Sequence, residues 1–246
     1  MSEILASARA LMQVPGNAAF SMRALAEQAG VSIATPYNLF GSKQAVLLSL
    51  LDADLEDYRS RLSALSTSGV AALFEATTLM TRLFAGEPVF YRNLISAVVT
   101  DGGPELKLLI SGPRYALWKQ LLEEARGVGE LDDSTDPDAF AITLTQLLAA
   151  TVQEWAVGSL ALEEMDARLR YGLALTLSAI ATARSRQRLA EHRRLAERDL
   201  QKLWRKSLRR RLQEGTLDEH ARRLLTEQLA RLESSEARQN TEETPA

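Results

Sequence analysis

Side chains suited to reading a DNA base edge are concentrated between residues 33 and 38. Ile33, Thr35, Tyr37 and Asn38 form a small, mostly uncharged set that could enter a major groove. Lys43 follows close behind and could neutralise a phosphate. These residue types and spacings predict contact with double-stranded DNA.

Two short helices joined by a glycine turn would position these side chains. The first helix has apolar residues at the spacing of one buried face: Met22, Leu25, Ala26 and Ala29. Ser21 can cap this helix, Gly30 suits the left-handed residue that ends it, and Ser32 can cap the next helix. Val31 and Phe40 are expected to face the core. So short a connection forces a sharp turn, which is the helix-turn-helix geometry.

This segment resembles the DNA-binding motif of the TetR family of bacterial transcription regulators. The matching residues lie in register: Ala29 to Ser32, Thr35, Tyr37, Phe40, Ser42 and Lys43. Pro36 is a departure, because it lacks a backbone donor near the start of the second helix and costs one hydrogen bond or shifts that start. The resemblance implies a three-helix head at residues 1–52 whose DNA-contacting residues are Arg23, Ile33, Ala34, Thr35, Tyr37, Asn38, Ser42 and Lys43.

The head carries no excess of positive charge. Its basic residues and its acidic residues balance: Arg9, Arg23 and Lys43 against Glu3, Glu27 and Asp52. Because phosphate neutralisation supplies most non-specific affinity for DNA, a single head should bind weakly. A homodimer that pairs two heads is therefore expected.

Composition places the chain among helical globular proteins. With 246 residues, 46% of them hydrophobic, it can bury a sizeable core. Few aromatics and no convincing alternating pattern predict an all-α fold. The absence of cysteine rules out a disulfide framework and a thiol redox sensor. No signal-peptide features or membrane-length apolar run appear, so a cytoplasmic protein without a membrane partner is expected.

Breaks in the helical pattern divide the chain into four parts. Residues 1–52 form the helix-turn-helix domain, 53–186 a helical ligand-binding and dimerisation domain, and 187–234 a charged helical-hairpin extension. Residues 235–246 are expected to form a disordered polar tail.

Two helices predicted at about 138–158 and 163–183 are apolar beyond the need of one small domain. The family resemblance implies that this pair meets its copy as a four-helix dimer interface. The expected interface residues are Leu144, Leu147, Leu148, Thr151, Leu169, Leu173, Leu177 and Ile180. The alternative is that both helices are interior.

Most of the large aromatic residues lie between the head and this helix pair. Family resemblance implies an inducer cavity there, and its expected lining is Phe74, Met80, Phe84, Phe90, Tyr91, Tyr115, Trp118 and Trp155. Such a lining suits an apolar or amphipathic small molecule. Ordinary core packing is the alternative for each residue. Arg92, Lys107 and Arg114 are candidate charged anchors.

The C-terminal part is strongly basic. Residues 184–211 hold twelve arginines and lysines against three acidic residues. An apolar stripe runs through this stretch, Gly215 can end its helix, and a second apolar stripe follows, so an antiparallel hairpin is expected. Its basic face is either a solvated surface or one that touches DNA or an acidic partner.

No catalytic constellation is visible. The only histidines, His192 and His220, lie apart in the charged part of the chain, and without cysteine they offer no believable metal cluster. Motifs for a nucleophile elbow, a phosphate loop or a dinucleotide site are absent. No enzyme activity, metal or cofactor is expected.

The resemblance implies a one-component transcriptional repressor. Two heads would bind a near-palindromic operator, and a small-molecule effector would release them by changing their spacing. The alternative is a DNA-binding adaptor of the same fold whose body binds a protein partner. An enclosed cavity in the body would favour the ligand sensor, and a filled body with an exposed apolar groove would favour the adaptor.

Overall fold

Helices form the secondary structure of the described residues, apart from one isolated bridge between Leu131 and Ala181. The computed structural model describes residues 2–16, 20–101, 104–213 and 217–242, with side chains described outside 101–111 and 235–242. Its helices are α1 (Ser2–Met12), α2 (Met22–Gln28), α3 (Ala34–Phe40), α4 (Lys43–Ala64), α5 (Gly69–Gly86), α6 (Pro88–Asp101), α7 (Pro104–Gly127), α8 (Pro137–Ala156), α9 (Leu162–Ser178), α10 (Ala183–Gln213) and α11 (Glu219–Glu242). The all-α prediction is confirmed.

The head is built from α1, α2, α3 and the start of α4. Met12, Leu25 and Leu47 are fully buried where α1 packs against α2 and α4. Ser42 caps α4, since its hydroxyl accepts a hydrogen bond from the Ala45 N–H at 3.1 Å. The same helix continues away from the head and packs against α5 and α7, so it joins the head to the body.

The body is a helical bundle around one apolar core. Helices α5, α6, α7, α8 and α9 pack in pairs and bury large side chains completely, among them Phe90, Leu122, Trp155 and Leu173. None of the described helices is both long enough and apolar enough to cross a membrane.

The second apolar helix is shorter than predicted. The sequence pattern placed it at 163–183, whereas α9 ends at Ser178 and α10 begins at Ala183. The intervening residues bond to the loop after α7: the Asp132 N–H donates to the Ile180 carbonyl at 2.9 Å. The Thr182 N–H donates to the Glu130 carbonyl at 3.2 Å. These bonds replace the helical ladder and turn the chain.

Helix α10 packs along α9, and the expected boundary at residue 187 falls inside it. Its first half therefore forms part of the body, while its end packs against α11. Asp218 caps α11 by accepting from the Ala221 N–H at 2.7 Å.

The expected start of a disordered tail at residue 235 is wrong for its first part. Helix α11 continues to Glu242, because residues 235–242 contain neither glycine nor proline to end it. Residues 243–246 and Gly215 lie outside the described residues.

Candidate DNA-binding face and ligand cavity

The first helix of the helix-turn-helix, α2, begins and ends as predicted. The Ser21 hydroxyl accepts from the Ala24 N–H at 3.1 Å and caps α2. Gly30 has a φ of +66°, the left-handed conformation that ends a helix at low cost only for glycine. Three packed helices thus present α3 at the edge of the head.

The start of α3 differs from the prediction. Ser32 makes no capping bond to a backbone N–H, and its hydroxyl lies 3.0 Å from that of Thr35. The Thr35 N–H already donates to the Ser32 carbonyl at 3.0 Å, and Pro36 has none to offer. Pro36 lies in the first turn, where N–H groups have no helical partner anyway, so it costs the helix little. It is also the buried residue of α3, and Val31, expected in the core, is 36% exposed.

The outer face of α3 brings most of the predicted DNA-contacting residues together. Ile33 is 51% exposed and Tyr37 is 49% exposed. Ala34 and Asn38 are also exposed, and Thr35 is half-buried beside them. This face carries no charge and fits the dimensions of a major groove.

The remaining predicted DNA contacts border this face on α2 and α4. The exposed Arg23 pairs with Glu27 one turn later, with 3.1 Å between Nε and Oε1. Ser42 and Lys43 are half-buried at the start of α4. The Lys43 ammonium lies 5.6 Å from the centre of the Phe20 ring.

A cavity of about 220 Å³ lies in the body between α4, α5, α6, α7 and α8. Its walls are mainly aliphatic and aromatic side chains. Four of the eight residues predicted to line a pocket do so: Met80, Phe84, Tyr91 and Trp118. Trp155 is fully buried behind the wall, stacked on Phe84 with 5.1 Å between ring centres.

Three further predicted lining residues lie elsewhere. The Phe74 ring stacks on His192 of α10 at 4.0 Å. Phe90 is completely buried in the core, and the Tyr115 hydroxyl donates to Asp138 on the surface. Aromatic residues at helical spacing pack against any neighbouring helix, so sequence cannot separate a cavity wall from the core.

The polar groups of the cavity wall include one carboxylate that the sequence did not single out. Asp54 of α4 and Arg114 of α7, a predicted candidate anchor, both line the cavity. Burial lowers the pKa of Arg114, and the carboxylates of Asp52 and Asp54 oppose this shift. The Arg92 guanidinium lies over the Trp155 ring at 5.1 Å, outside the cavity. The side chain of Lys107 lies outside the described residues.

Asp54 also contacts the head. The Arg9 guanidinium of α1 donates to Asp54 Oδ1 at 2.7 Å and to Glu87 Oε1 at 2.8 Å. Its Cζ lies 4.0 Å from the centre of the Phe90 ring. Burial raises the pKa of Asp54 although the hydrogen bond from Arg9 opposes this shift, and the separate bond from Arg9 to Glu87 lowers the pKa of Glu87. Burial, with the Asp54 charge nearby, also raises the pKa of Tyr91 to about 12.

A second tie joins the head to α6. The amide nitrogen of Asn93 donates to the carbonyls of Met12 and Val14, both at 2.9 Å, and so holds the end of α1. No local pattern in the sequence indicates these contacts, because the partners are about 80 residues apart.

The predicted dimer interface is wrong for six of its eight residues. Leu144, Leu148, Leu169, Leu173, Leu177 and Ile180 are buried inside a single chain. An amphipathic pattern shows that a face is covered, but α5, α7 and α10 of the same chain provide that cover.

The other faces of α8 and α9 are apolar and open. Leu147 is 39% exposed and Leu175 is 48% exposed, with Ile142 and the half-buried Thr151 nearby on α8. The two helices approach closely at Gly172, where an added Cβ would lie 2.7 Å from Leu147 Cδ2. Two of the predicted interface residues, Leu147 and Thr151, belong to this open face.

Comparison with known proteins identifies the head. Residues 4–50 match the family model described as bacterial regulatory proteins, tetR family. No curated protein matches the chain.

Solved structures of similar fold cover about three quarters of the chain. FadR from Bacillus subtilis in complex with stearoyl-CoA has a TM-score of 0.60 at 19% identity, over 73% of this chain and 98% of that one. FadR from Thermus thermophilus in complex with lauroyl-CoA has a TM-score of 0.58 at 22% identity, over 74% and 95%. SmeT, the repressor of a Stenotrophomonas maltophilia multidrug efflux pump, has a TM-score of 0.57 at 18% identity, over 74% and 90%. At these identities the likeness establishes the shared fold.

The match of residues 4–50 confirms the resemblance of the head to the TetR family of bacterial regulatory proteins, and the chain shares the fold of solved TetR-family regulators. The matched family model describes regulatory proteins and not enzymes, in agreement with the prediction.

Proposed function

We propose that the chain is a ligand-responsive repressor that binds a near-palindromic operator as a dimer. A small apolar or amphipathic molecule in the body cavity would release it from DNA. The observation that carries this proposal is the position of Asp54, which lines the cavity and bonds Arg9 of the head.

The outer face of α3 would read the operator. Thr35 and Asn38 would face base edges with Ile33 and Ala34, while Tyr37, Ser42 and Lys43 would hold phosphates beside them. Arg23 lies on the neighbouring helix and could exchange its exposed pair with Glu27 for a phosphate. The exposed outer face of α3, bordered by Arg23 of α2 and by Ser42 and Lys43 at the start of α4, supports the assignment.

Cavity size limits the ligand. A cavity of about 150 Å³ holds benzene, so 220 Å³ suits a molecule of about ten non-hydrogen atoms. Pockets for drug-sized ligands are larger, about 300–1,000 Å³. The two FadR structures contain acyl-CoA, and an apolar chain is the part of such a ligand that this wall would suit.

Ligand binding would act on the head through α4. A molecule that enlarges the cavity would displace the wall formed by Leu51, Asp54 and Leu55 on this helix. Since Ser42 fixes the start of α4 in the head, a tilt of the helix would change the distance between two heads. The ligand would then favour the wrongly spaced state and lower the affinity for DNA.

Dimerisation would use the open face of α8 and α9. Ile142, Leu147 and Leu175 are exposed there, and Gly172 keeps the surface flat by letting Leu147 lie close. A self-complementary apolar face suits a two-fold dimer. The alternative function, an adaptor whose body binds a protein partner, is less well supported because the body contains a cavity.

A release experiment tests the proposal. The full-length protein is first used to select duplexes from a random DNA library, and fluorescence anisotropy then measures the affinity for the best duplex. Decanol, decanoate and lauroyl-CoA are added to the complex, and tryptophan emission, to which Trp118 in the cavity wall contributes, reports their binding. We expect a ten-carbon probe to bind and to release DNA. DNA binding without a response to any of the three would favour the adaptor, and no selected duplex would overturn both functions.

A further inference from the structure

The end of α10 is a helix segment with cations and no carboxylates. Between residues 202 and 213 it carries six arginines and lysines and no aspartate or glutamate. The body that precedes residue 184 is acidic on balance, so this segment is a separate centre of positive charge.

Contacts at the first turns of α5 and α10 show that the two helices begin at the same end of the body. Glu130 accepts from the Val70 N–H at 2.7 Å at the start of α5, and the same carboxylate pairs with Arg188. One turn further along both helices, Phe74 stacks on His192. Helices α5 and α10 therefore run side by side in the same direction from this end.

The opposite end of α5 lies at the head. Further along the pair, Thr81 and Lys202 lie around one surface hollow. Helix α5 then ends at Gly86, and the next residue, Glu87, binds Arg9 of the head. Because both helices rise by the same distance per residue, the turns of α10 from about residue 206 onward lie level with Glu87 and beyond it. The basic segment is thus on the side of the body to which the head is attached.

The segment is held in place by its neighbours. Leu208 is buried where α10 and α11 pack, and Arg209 pairs with Glu233 of α11 at 2.6 Å. The Arg211 guanidinium donates to the Ser159 carbonyl in the turn between α8 and α9 at 2.9 Å. These contacts give the cations a fixed position relative to the body.

One stripe of exposed basic side chains runs along α10 into this segment. Arg198, Lys202, Lys206 and Arg209 follow each other at the spacing of one helix face. Within the described part of the chain, Lys202 and Lys206 form no ion pair. The charge of Lys206 is available to a partner, whereas Lys202 shares its surface hollow with Glu163, Asp166 and Asp199.

We infer that the stripe Arg198–Lys202–Lys206–Arg209 contacts the phosphates of DNA that flanks the operator. This rests on the proposed operator binding. The head has as many acidic as basic residues and the face of α3 is uncharged, so little of the attraction for phosphate can come from the head. A basic segment on the head side of the body supplies that missing charge. An acidic protein could also bind such a stripe. Binding to DNA, however, also explains why the stripe lies on the head side and why the head itself carries no net charge.

Two matched double variants test the inference. Lys202→Gln with Lys206→Gln removes two charges from the stripe, and Arg186→Gln with Arg193→Gln removes two exposed charges from another face in the first half of the same helix. Substitution is preferable to truncation, because deleting α10 would uncover α9. Affinity is measured against salt concentration for a selected 20-bp duplex, a 40-bp duplex with the same centre and a random 40-bp duplex.

For the 40-bp duplexes we expect the Lys202/Lys206 variant to flatten the plot of log affinity against log salt. The slope should change by about 3 to 4 units, at about 0.9 for each of two cations in two subunits. The wild-type protein should bind the 40-bp site more tightly than the 20-bp site, and the variant should lose that gain. Equal salt slopes for both double variants would overturn the inference and would instead favour an acidic protein as the partner of the stripe. Selection of no duplex would contradict the proposed function, whereas the random duplex would still test the stripe.

Discussion

Arg9 joins three parts of the molecule through one guanidinium group. It bonds Asp54 and Glu87 and lies over Phe90. Arg9→Gln would leave the Asp54 carboxylate without its charged partner. We expect the free energy of unfolding, measured by urea denaturation, to fall by about 2 kcal/mol, less than for a fully buried pair because the group is partly exposed.

Arg23→Gln is the matched control for this substitution. Arg23 pairs with Glu27 on the surface of α2, and exposed pairs of this kind contribute about 0.5 kcal/mol or less. Equal losses in the two variants would show that Arg9 is no more important to the fold than a surface arginine.

Asn38 and Lys43 should differ in how their loss affects DNA binding. Asn38→Ala should change the base preferred at one position of a selected duplex, because its amide would face a base edge. Lys43→Ala should weaken all sequences alike and reduce the salt slope by about one unit per subunit. Anisotropy titrations on specific and random duplexes measure both effects. An equal loss on the two duplexes for Asn38→Ala would argue against base reading.

Glu130 connects the loop after α7 to two other helices. Its burial would raise its pKa, but the Val70 N–H and the Arg188 guanidinium outweigh this effect and the pKa is lowered. A carboxyl with a lowered pKa stabilises the fold above its ordinary pKa and ceases to do so as the pH falls through the lowered value. Glu130→Ala should therefore cost about 2 kcal/mol at pH 7 and less below about pH 4.

Asp133→Ala provides the control for the pH series. Its side chain is almost fully exposed, and its nearest cation, Arg126, is 3.9 Å away. Urea denaturation at pH 7, 5 and 3.5 should show little loss for this variant at any pH. A cost for Glu130→Ala that grows towards low pH would contradict the direction of the shift.

At the scale of helices, substitutions on the outer and inner faces of α8 and α9 test dimerisation and folding separately. Leu175→Asp would place a charge on the open face, so we expect a folded monomer by analytical ultracentrifugation. Leu177 is completely buried two residues later, and Leu177→Asp should unfold the chain. The exposed Leu224 of α11 offers a control, since Leu224→Asp should remain a folded dimer. A dimeric Leu175→Asp protein would move the interface elsewhere.

The helices of the head could be predicted because their signals are local. Ser21, Gly30 and Ser42 act at helix ends through neighbours in sequence, and the spacing around Tyr37 defines an outer face. The role of Pro36 was harder to predict, because a proline in the first turn can pack into the core as well as interrupt a helix.

Which helix covers which face could not be predicted. The apolar stripes of α8 and α9 are real, but periodicity does not distinguish a neighbour in the same chain from one in a copy. The cover from α10 and the bond between Arg9 and Asp54 depend on long-range packing. Most of the cavity wall was missed for the same reason, including Asp54 and Leu51 of α4.

For the whole molecule, filling the cavity should separate sensing from DNA binding. Val98 lines the cavity on α6, and Val98→Phe would occupy part of its 220 Å³. We expect this protein to bind DNA as the wild type does but to resist release by decanol or decanoate. The matched variant Val157→Phe lies on an exposed site at the end of α8 and should respond normally. Loss of DNA binding with Val98→Phe would instead indicate that the empty cavity is required by the DNA-bound state.

The position of Asp54 between the cavity and the head has a consequence for the ligand concentration that occupies the protein. Coupling between two binding equilibria is reciprocal, so if a ligand weakens DNA binding by some factor, DNA weakens ligand binding by the same factor. The concentration of ligand needed to half-saturate a fixed amount of protein would then rise with the concentration of operator DNA in the same solution. Adding operator duplex would shift the ligand-binding curve to higher concentration, without any change in the protein.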